Sequence, residues 1–436
     1  MVSGLLFEEV KMKPFNQLSE QEKNQLKQSL DQRYETFRSQ NLSLNMTRGV
    51  PSTEQLDLSM DLLTCVTENN YCTKNGIDCR NYGGVDGIPE AKQLFASYMG
   101  VTTDEIIVGG NSSLTLMHDT FMRAMVKGVM KDSPPWCTLD KIKLICPAPG
   151  YDRHFSICNY LNIEMITVEM TDDGLNMDEI ESLVADDESI KGIWCVPKYS
   201  NPTGVTYSDD VVERLANMKT RASDFRIFLD NAYAVHDHTE TPDKLMPVLD
   251  ACKRAGNPDR VYMFGSTAKI TFAGAGVAAM AASKNNIDWL RAQMVFQSIG
   301  PDKINQLRHV TFFKNLDGIH ELMQKHARIL KPKFEAVQAT LTKELGQLEI
   351  AQWTNPNGGY FVSINTPEGC AKQVVEMAKQ IGVMFTPAGA TYPYQNDPLN
   401  RNIRIAPSFP SVVDIEKAMT ILAVCIQRVA LEMKSA

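Results

Sequence analysis

The chain has 436 residues, of which 43% are hydrophobic and 22% are charged, a composition that is ordinary for a globular protein and excludes a disordered polypeptide. Its formal net charge is −8, and its Lys and Arg residues are scattered along the whole sequence. We therefore expect no nucleic-acid partner, because a nucleic-acid binder needs a concentrated basic surface.

The first segment, MVSGLLFEEVKMKPFNQ, has no basic start followed by an apolar core, so it does not resemble a secretory signal. No stretch approaches the run of about 18 apolar residues that is typical of a membrane span. We expect a cytoplasmic protein with no membrane partner. Next along the chain, Ser19 and Glu22 form a capping-box pair that predicts the start of an amphipathic helix over residues 19–38. Its apolar face consists of Leu26, Leu30, Tyr34 and Phe37.

Between about residues 90 and 285, short apolar runs alternate with helix-like segments. The expected strands are EIIVGG, KLICPAP, GIWCVP, FRIFLD, VYMFGS and GVAAMAAS. This alternation predicts an α/β domain on a mainly parallel sheet, in which ligands bind beyond the carboxyl ends of the strands. Five polar loops follow the strands there: GGNSS, PAPGY, KYSNPTG, DNAY and GSTAK.

After about residue 310 the pattern changes to a long helical stretch over residues 311–346, the strand GGYFVSI, and a mixture of polar helix and loop. These features predict a second, smaller α/β domain. The expected division is an N-terminal helix and arm at 1–55 that belong to the small domain, a large domain at 56–310, and a small C-terminal domain at 311–436.

The sequence contains ten cysteines, several of them inside apolar strand-like runs, which favours free buried thiols over disulfides. Cys65, Cys72 and Cys79 recur every seven residues, and His236 and His238 bracket Asp237. Neither arrangement has the short spacing of a structural zinc site or a helical HExxH motif, so no metal is expected.

Lys269 follows the apolar run VYMFGS in a segment of small residues that offers its ammonium no nearby carboxylate. Desolvation lowers the pKa of such a lysine and makes it an amine nucleophile toward a carbonyl, for which the natural candidate is an aldehyde cofactor. A lysine whose ammonium reaches the surface is the structural alternative.

Other loops offer partners for such a cofactor. Asp230 ends the strand FRIFLD and would pair with a protonated pyridine nitrogen, although a turn cap is an alternative. Tyr233 and Asn201 could bond a ring oxygen, and Tyr151 could stack on the ring or pack in the core. The loop GGNSSL precedes a helix whose N-terminus favours a phosphate, although a serine cap explains it equally well. Arg404 could clamp a carboxylate or form an internal ion pair.

The order of SNPTG, DNAY, STAK and RIAPS resembles one family, the pyridoxal-phosphate enzymes of the aspartate aminotransferase fold, over about residues 40 to 430. TRGVPS, YGGVDGIPE and TPAGATYPY further resemble a bacterial subgroup of aspartate aminotransferases. The resemblance implies pyridoxal-phosphate-dependent transferase fold type I, an α/β architecture with a mainly parallel central sheet in the large domain and a smaller α/β domain.

The resemblance also implies residue roles. Lys269 would carry the internal aldimine, and Asp230 would pair with the pyridinium nitrogen. Tyr233 and Asn201 would hold the ring oxygen, with Asn201 also at the substrate, and Tyr151 would stack on the ring. His154 would brace Asp230 from behind. The implied phosphate-binding residues are Ser112, Ser113 and Ser266, joined by Tyr82 from a neighbouring subunit.

Arg404 would bind the substrate α-carboxylate with the Gly49 backbone beside it. The sequence departs from the family pattern at Ala268 and Val277, where a serine and a phosphate-binding arginine are usual. Backbone N–H groups of the GAG segment or another cation would then complete the phosphate site. The candidates for a distal-carboxylate cation are Arg48, Lys303 and Arg308, each of which is equally explained by a structural role.

The implied function is an aminotransferase that uses pyridoxal 5′-phosphate and works as a homodimer. It would transfer an amino group from an L-amino acid, aspartate, to a 2-oxo acid, 2-oxoglutarate, by a ping-pong mechanism through the Lys269 aldimine. A pyridoxal-phosphate lyase or decarboxylase on the same fold would share every cofactor residue. A cofactor-sensing DNA-binding regulator is disfavoured by the acidity of the chain.

Overall fold

The computed structural model describes residues 13–434, so most of the segment assessed above as a signal sequence lies outside the described residues. The α-helices are α1 (Glu20–Arg38), α2 (Thr53–Asp57), α3 (Pro89–Met99), α4 (Ser113–Lys127), α5 (Asp152–Tyr160), α6 (Met177–Asp186), α7 (Asp209–Asn217), α8 (Val248–Arg254), α9 (Lys284–Met294), α10 (Lys303–Phe313), α11 (Leu316–Leu345), α12 (Ala371–Ile381) and α13 (Val412–Lys434). Short 3-10 helices lie at Phe15–Gln17, Met60–Leu63, Thr103–Glu105, Trp136–Thr138, Pro258–Arg260 and Pro393–Gln395. Within the described residues, no helix has the length and apolarity that a bilayer crossing requires.

The strands are β1 (Leu44–Asn45), β2 (Ile106–Val108), β3 (Lys143–Ala148), β4 (Glu164–Thr171), β5 (Gly174–Leu175), β6 (Ile190–Cys195), β7 (Arg226–Asp230), β8 (Val261–Ser266), β9 (Ala278–Ala282), β10 (Gln352–Trp353), β11 (Val362–Asn365), β12 (Val383–Met384) and β13 (Asn402–Ile405). Eight of them form the central sheet in the order β2-β9-β8-β7-β6-β3-β4-β5. Strands β4, β3, β6, β7 and β8 pair in parallel, and β9 runs antiparallel to β8 and β2. The α/β fold with a mostly parallel central sheet is thus confirmed.

All six strands expected between residues 90 and 285 are present. Their apolar residues are buried because helices cover both faces of the sheet. Strand β4, in which buried and exposed residues are mixed, was not predicted. Antiparallel β10, β11 and β13 form a second, three-stranded sheet, and β1 pairs with β12.

The N-terminal helix matches its prediction, since Ser19 caps α1 in a capping box with Glu22. Leu30 and Tyr34 on its apolar face are buried in the core that α12, α13 and the second half of α11 share. The long helix expected over residues 311–346 is present as the 30-residue α11, but its predicted start is wrong, because residues 311–313 belong to α10. Lys314 adopts a left-handed φ of 65° and Asn315 caps a new helix, so α10 and α11 are separate.

Candidate active site

The candidate site lies where β6, β7 and β8 end on the same side of the sheet. Asp230 is the last residue of β7 and is paired in register with Phe264 of β8, and Lys269 follows in the turn beyond that strand. Asn201 lies in the loop after β6. Parallel pairing therefore brings together residues that are far apart in sequence, as expected at the carboxyl edge of an open α/β sheet.

The Asp230 carboxylate is buried, with 3% of the residue exposed, and its two oxygens have different surroundings. Oδ2 lies 3.1 Å from Nε2 of His154, whereas Oδ1 has no hydrogen-bond partner within the described part of the chain. His154 is itself fixed, because its ring stacks on Trp194 with centroids 4.1 Å apart and planes within 3°. A buried carboxylate oxygen without a donor is costly, so the geometry is suited to a cationic N–H donor from a ligand.

Lys269 is partly buried, and its ammonium has no hydrogen-bond or ion-pair partner among residues 13–434. The Nζ atom lies 5.0 Å from the centroid of the Tyr233 ring. Burial lowers the pKa of the Lys269 ammonium, and the negative charge of Asp230 opposes this effect only in part. A lowered pKa makes the amine of Lys269 easier to deprotonate, as a nucleophile or a base requires.

One enclosed cavity collects most of the predicted cofactor residues. Its lining includes Ser113, Tyr151, Asn201, Asp230, Tyr233 and Lys269. Burial raises the pKa of Tyr151 to about 12 and that of Tyr233 well above the usual range, with Asp230 adding to both shifts. Both phenols therefore stay neutral hydrogen-bond donors beside the lysine. Two predicted residues contact this lining from behind: His154 through Asp230 and Arg404 through Asn201.

The N-terminus of α4 reaches the same cavity. Ser112 is its N-cap residue but makes no side-chain cap, and the amides of Ser113 and Leu114 have no acceptor within the described residues. Free amides at the start of a 15-residue helix form an anion-binding position. Ser266 ends β8 with 9% of its surface exposed, and its Oγ accepts a bond of 3.4 Å from the amide of Ala268.

Val277 contributes no polar side chain to an anion. It is 1% exposed within an apolar core. Its backbone N–H donates to Oγ1 of Thr267, and its carbonyl accepts a hydrogen bond from the Thr267 amide, both at 2.9 Å. The carbonyls of Ala275 and Gly276 accept bonds from Asn305. In the GAG segment the amide of Ala275 donates to the carbonyl of Phe272 at 3.1 Å, whereas the amides of Ser113 and Leu114 at the start of α4 have no acceptor within the described residues.

Arg404 of β13 is buried, with 7% of its surface exposed, and its guanidinium makes three polar contacts. One terminal nitrogen lies 3.0 Å from Oδ1 of Asp152 and 3.3 Å from Oδ1 of Asn201, and the other lies 3.3 Å from Oγ1 of Thr386. The guanidinium also lies 5.0 Å from the centroid of the Phe361 ring. Gly49 packs so closely on the same ring that a Cβ at position 49 would lie only 2.5 Å from it. Gly49 and Arg404 thus contact the same ring, and Asp152 occupies the arginine with an internal carboxylate.

Tyr82 and the three candidates for a distal-carboxylate cation make no described contact with the cavity lining. Tyr82 is 82% exposed on the surface of the subunit. Arg48 is exposed, Lys303 donates to the carbonyl of Gly83 at 2.8 Å, and Arg308 has a buried Nε without a partner in the described structure. No described contact brings a distal-carboxylate cation into the cavity.

Sequence reasoning missed three neighbours of the site. Asp152 contacts Arg404, and Trp194 stacks on His154. Tyr360 donates to the carbonyl of Lys269 at 3.3 Å. Asp152 had a usable signal, since it directly follows Tyr151 at the start of a helix. Trp194 and Tyr360 lie within apolar strand-like runs, where the sequence indicates burial and nothing more. Among the described residues, no group of three or more His, Cys, Asp or Glu side chains is arranged to hold a metal ion.

The comparisons with known proteins agree with this geometry. A Mycolicibacterium smegmatis protein whose name places it among aminotransferases is 48% identical over 394 residues, which is 90% of this chain and 92% of the relative. An aspartate aminotransferase of Corynebacterium glutamicum is 42% identical over 405 residues, 93% of this chain and 94% of the relative.

Solved structures show the same likeness. The crystal structure of an aspartate transaminase from Corynebacterium glutamicum superposes with a TM-score of 0.94 at 41% identity, over 96% of this chain and 99% of that chain. An α-aminoadipate aminotransferase from Thermus thermophilus, complexed with N-(5′-phosphopyridoxyl)-L-leucine, shares the fold at a TM-score of 0.71 and 20% identity, over 89% of this chain and 93% of that chain.

The fold, the lysine and carboxylate that line one cavity, and these relatives define the chain as an aminotransferase. It belongs to the aspartate amino-transferase family, whose model matches residues 18–436.

Proposed function

We propose that this enzyme uses pyridoxal 5′-phosphate to transfer the amino group of L-aspartate to 2-oxoglutarate in a ping-pong reaction. The observation that carries the proposal is the pair of unsatisfied groups in one cavity, the free ammonium of Lys269 and the unpartnered Oδ1 of Asp230. Aspartate as the amino donor is supported by the relative named aspartate aminotransferase at 42% identity, and 2-oxoglutarate is the acceptor that we propose.

The residues fit the cofactor on three separate grounds. Asp230 Oδ1 is a buried acceptor without a donor, as a protonated ring nitrogen requires. The free amides of Ser113 and Leu114 are donors without acceptors, as a phosphate requires. Lys269 has the accessible amine to which an aldehyde carbon would be linked. When bound, the cofactor supplies the electron sink that labilises the bond between the substrate Cα and its hydrogen.

Each protein group then has a distinct task. Asp230 would hold a proton on the ring nitrogen of the bound cofactor. Each unit by which it raises the pKa of that nitrogen is worth about 1.4 kcal/mol. His154, fixed on Trp194, keeps Asp230 in place. With the cofactor and substrate bound, the Nζ of Lys269 would accept the proton from the substrate Cα and deliver it to the cofactor carbon that carries the aldehyde.

Arg404 is the proposed receptor for the substrate α-carboxylate. Its planar guanidinium is suited to a bidentate carboxylate, and Asn201 lies between it and the cofactor cavity. Tyr151 lines the cavity as the proposed stacking partner of the ring, and Tyr233 lies over the lysine as the proposed donor to the ring oxygen.

We also propose a homodimer, because a large apolar area is exposed near Tyr82. The amide of Gly83 donates to the carbonyl of Ile299 at 3.2 Å, which places the Tyr82 loop beside the segment that follows α9. There Phe296 is 88% exposed and Ile299 is 63% exposed. Contiguous exposed aromatic and aliphatic side chains are typical of a surface that another chain covers. Tyr82 could then reach the phosphate of the partner subunit.

The cytoplasm is the proposed compartment. All ten cysteines are free, including seven that are buried, as is usual for proteins kept in reducing surroundings.

The test is an absorbance scan of the purified protein loaded with pyridoxal phosphate, to which amino acids are added singly. We expect aspartate and glutamate to bleach the visible band and to yield a 2-oxo acid in equal amount. Lys269→Ala should lose both the band and turnover, because no other partner-free amine lines the cavity. A Lys269→Ala variant with full activity in the absence of added amine would refute the assignment. Release of carbon dioxide or of an eliminated side chain in place of a new amino acid would indicate a lyase.

A further inference from the structure

We infer that a buried hydrogen-bond relay through Tyr360, Gln55 and His326 positions the Lys269 backbone for catalysis. The inference rests on the proposed role of Lys269, but none of the three side chains lines the cofactor cavity. All three residues have 0% of their surface exposed. They come from elements outside the eight-stranded sheet: α2, α11 and the loop before β11.

The relay has one consistent direction of donation. The His326 Nε2 atom lies 3.0 Å from the carbonyl of Ile270, so this nitrogen must carry the hydrogen. Nδ1 of the same ring is then an acceptor, and it lies 2.9 Å from Nε2 of Gln55. Because the amide of Ser52 donates to Oε1 of Gln55 at 3.0 Å, the orientation of the Gln55 amide is fixed as well.

The second hydrogen on Gln55 Nε2 goes to the Tyr360 hydroxyl, 3.0 Å away. That hydroxyl is left to donate its own hydrogen to the carbonyl of Lys269 at 3.3 Å. His236 supplies a second donor to this carbonyl, since its Nε2 atom also lies 3.3 Å from it. Two consecutive carbonyls, those of Lys269 and Ile270, are therefore held by side chains from three separate parts of the chain.

A complete relay of this kind fixes geometry better than isolated bonds, because each hydrogen in it is directed to one acceptor. The Lys269 side chain has no polar partner among the described residues, so its direction depends on the backbone of its turn. The amides of Ile270 and Thr271 donate to the carbonyl of Thr267 at 2.8 Å within this turn. The relay adds side-chain bonds to the carbonyls of Lys269 and Ile270. Tyr360, Gln55 and His326 are positioning residues, and none of them is proposed to contact cofactor or substrate.

The test compares Tyr360→Phe with a matched control, Tyr34→Phe, in the cofactor-loaded enzyme. Tyr34 is also a buried tyrosine whose hydroxyl lies near a backbone carbonyl, that of Met377, and a glutamine, but it belongs to α1. We expect Tyr360→Phe to lower kcat by about three- to tenfold with KM for aspartate unchanged. We also expect the pH midpoint of its absorbance change to shift by about half a unit, because the amine is displaced. The control should match the wild type in all three.

Gln55→Met provides a second variant, which leaves both donors to Lys269 in place and decides the question if Tyr360→Phe does not fold. Its effects should go in the same direction as those of Tyr360→Phe and be smaller, because Gln55 acts on Lys269 only by orienting the Tyr360 hydroxyl, and the double variant should lose less kcat than the product of the two single losses. Wild-type kcat and an unshifted midpoint in folded Tyr360→Phe or Gln55→Met would overturn the inference. A wild-type protein that shows no cofactor band would instead count against the proposed function.

Discussion

Asp152→Asn should make the enzyme bind carboxylates more tightly. Asp152 Oδ1 lies 3.0 Å from Arg404 and occupies the guanidinium proposed to receive the substrate carboxylate. Two unit charges about 4 Å apart interact by about 4 kcal/mol at an effective dielectric constant of about 20. The Asp152 side chain is 36% exposed, so solvent screening reduces this to about 1 to 1.5 kcal/mol. We therefore expect an approximately tenfold lower Kd for a carboxylate ligand.

The assay is a calorimetric titration of the cofactor-loaded enzyme with succinate, a dicarboxylate without an amino group. Asp31→Asn is the matched control, because it removes one acidic charge from another arginine pair, Asp31 with Arg428 at 2.9 Å, remote from the cavity. Its Kd for succinate should stay at the wild-type value. If Asp152→Asn binds succinate more weakly than the wild type, Asp152 orients Arg404 instead of competing for it, and the reasoning is wrong.

Two further predictions concern Asp230 and His326. Asp230→Asn should keep the bound cofactor and its absorbance band but lose transamination by about a hundredfold or more, since a neutral amide cannot hold a proton on the ring nitrogen; near-normal turnover would contradict the electron-sink role. Burial lowers the pKa of His326 from 6.5 to about 4, so the unfolded chain binds a proton that the folded chain excludes, and stability falls as pH drops from 6.5 to 4. This histidine should contribute a slope of up to about 1.4 kcal/mol per pH unit to the free energy of unfolding. His326→Gln should remove that slope from urea unfolding measured between pH 4 and 6.5. Identical slopes in the variant and the wild type would show that the histidine is not buried in its neutral form.

Much of the sheet could be predicted, because parallel strands covered on both faces appear as short runs of apolar residues with little alternation. Strand β4 breaks that pattern, with exposed Glu164 and Glu169 among buried residues, and was missed. The break after α10 was missed for a different reason. Lys314 takes a left-handed conformation that glycine or asparagine usually marks, and a lysine gives no such signal.

The candidate site could be predicted as far as each residue depended on its own loop. Asp230, Asn201 and Lys269 each follow a recognisable strand, and parallel pairing brings such loops together. The contacts between Arg404 and Asp152, 252 positions apart in sequence, depend on how β13 packs against α5. Similarly, Gln55 and Tyr360 meet only because α2 and the loop before β11 close over the lysine turn. Tertiary packing sets these contacts, so they cannot be predicted from the local sequence.

The different treatment of the two buried cations follows from their chemistry. A lysine ammonium can lose its proton when it is desolvated, and burial lowers the pKa of Lys269 although the negative charge of Asp230 opposes the shift. A guanidinium cannot deprotonate in a protein, so the more fully buried Arg404 needs an anion at all times. Asp152 supplies that anion, and its partial exposure leaves it room to turn toward solvent in the proposed binding of a substrate carboxylate by Arg404. One site thus combines an amine whose pKa is lowered with a permanent cation, as the proposed roles of Lys269 and Arg404 require.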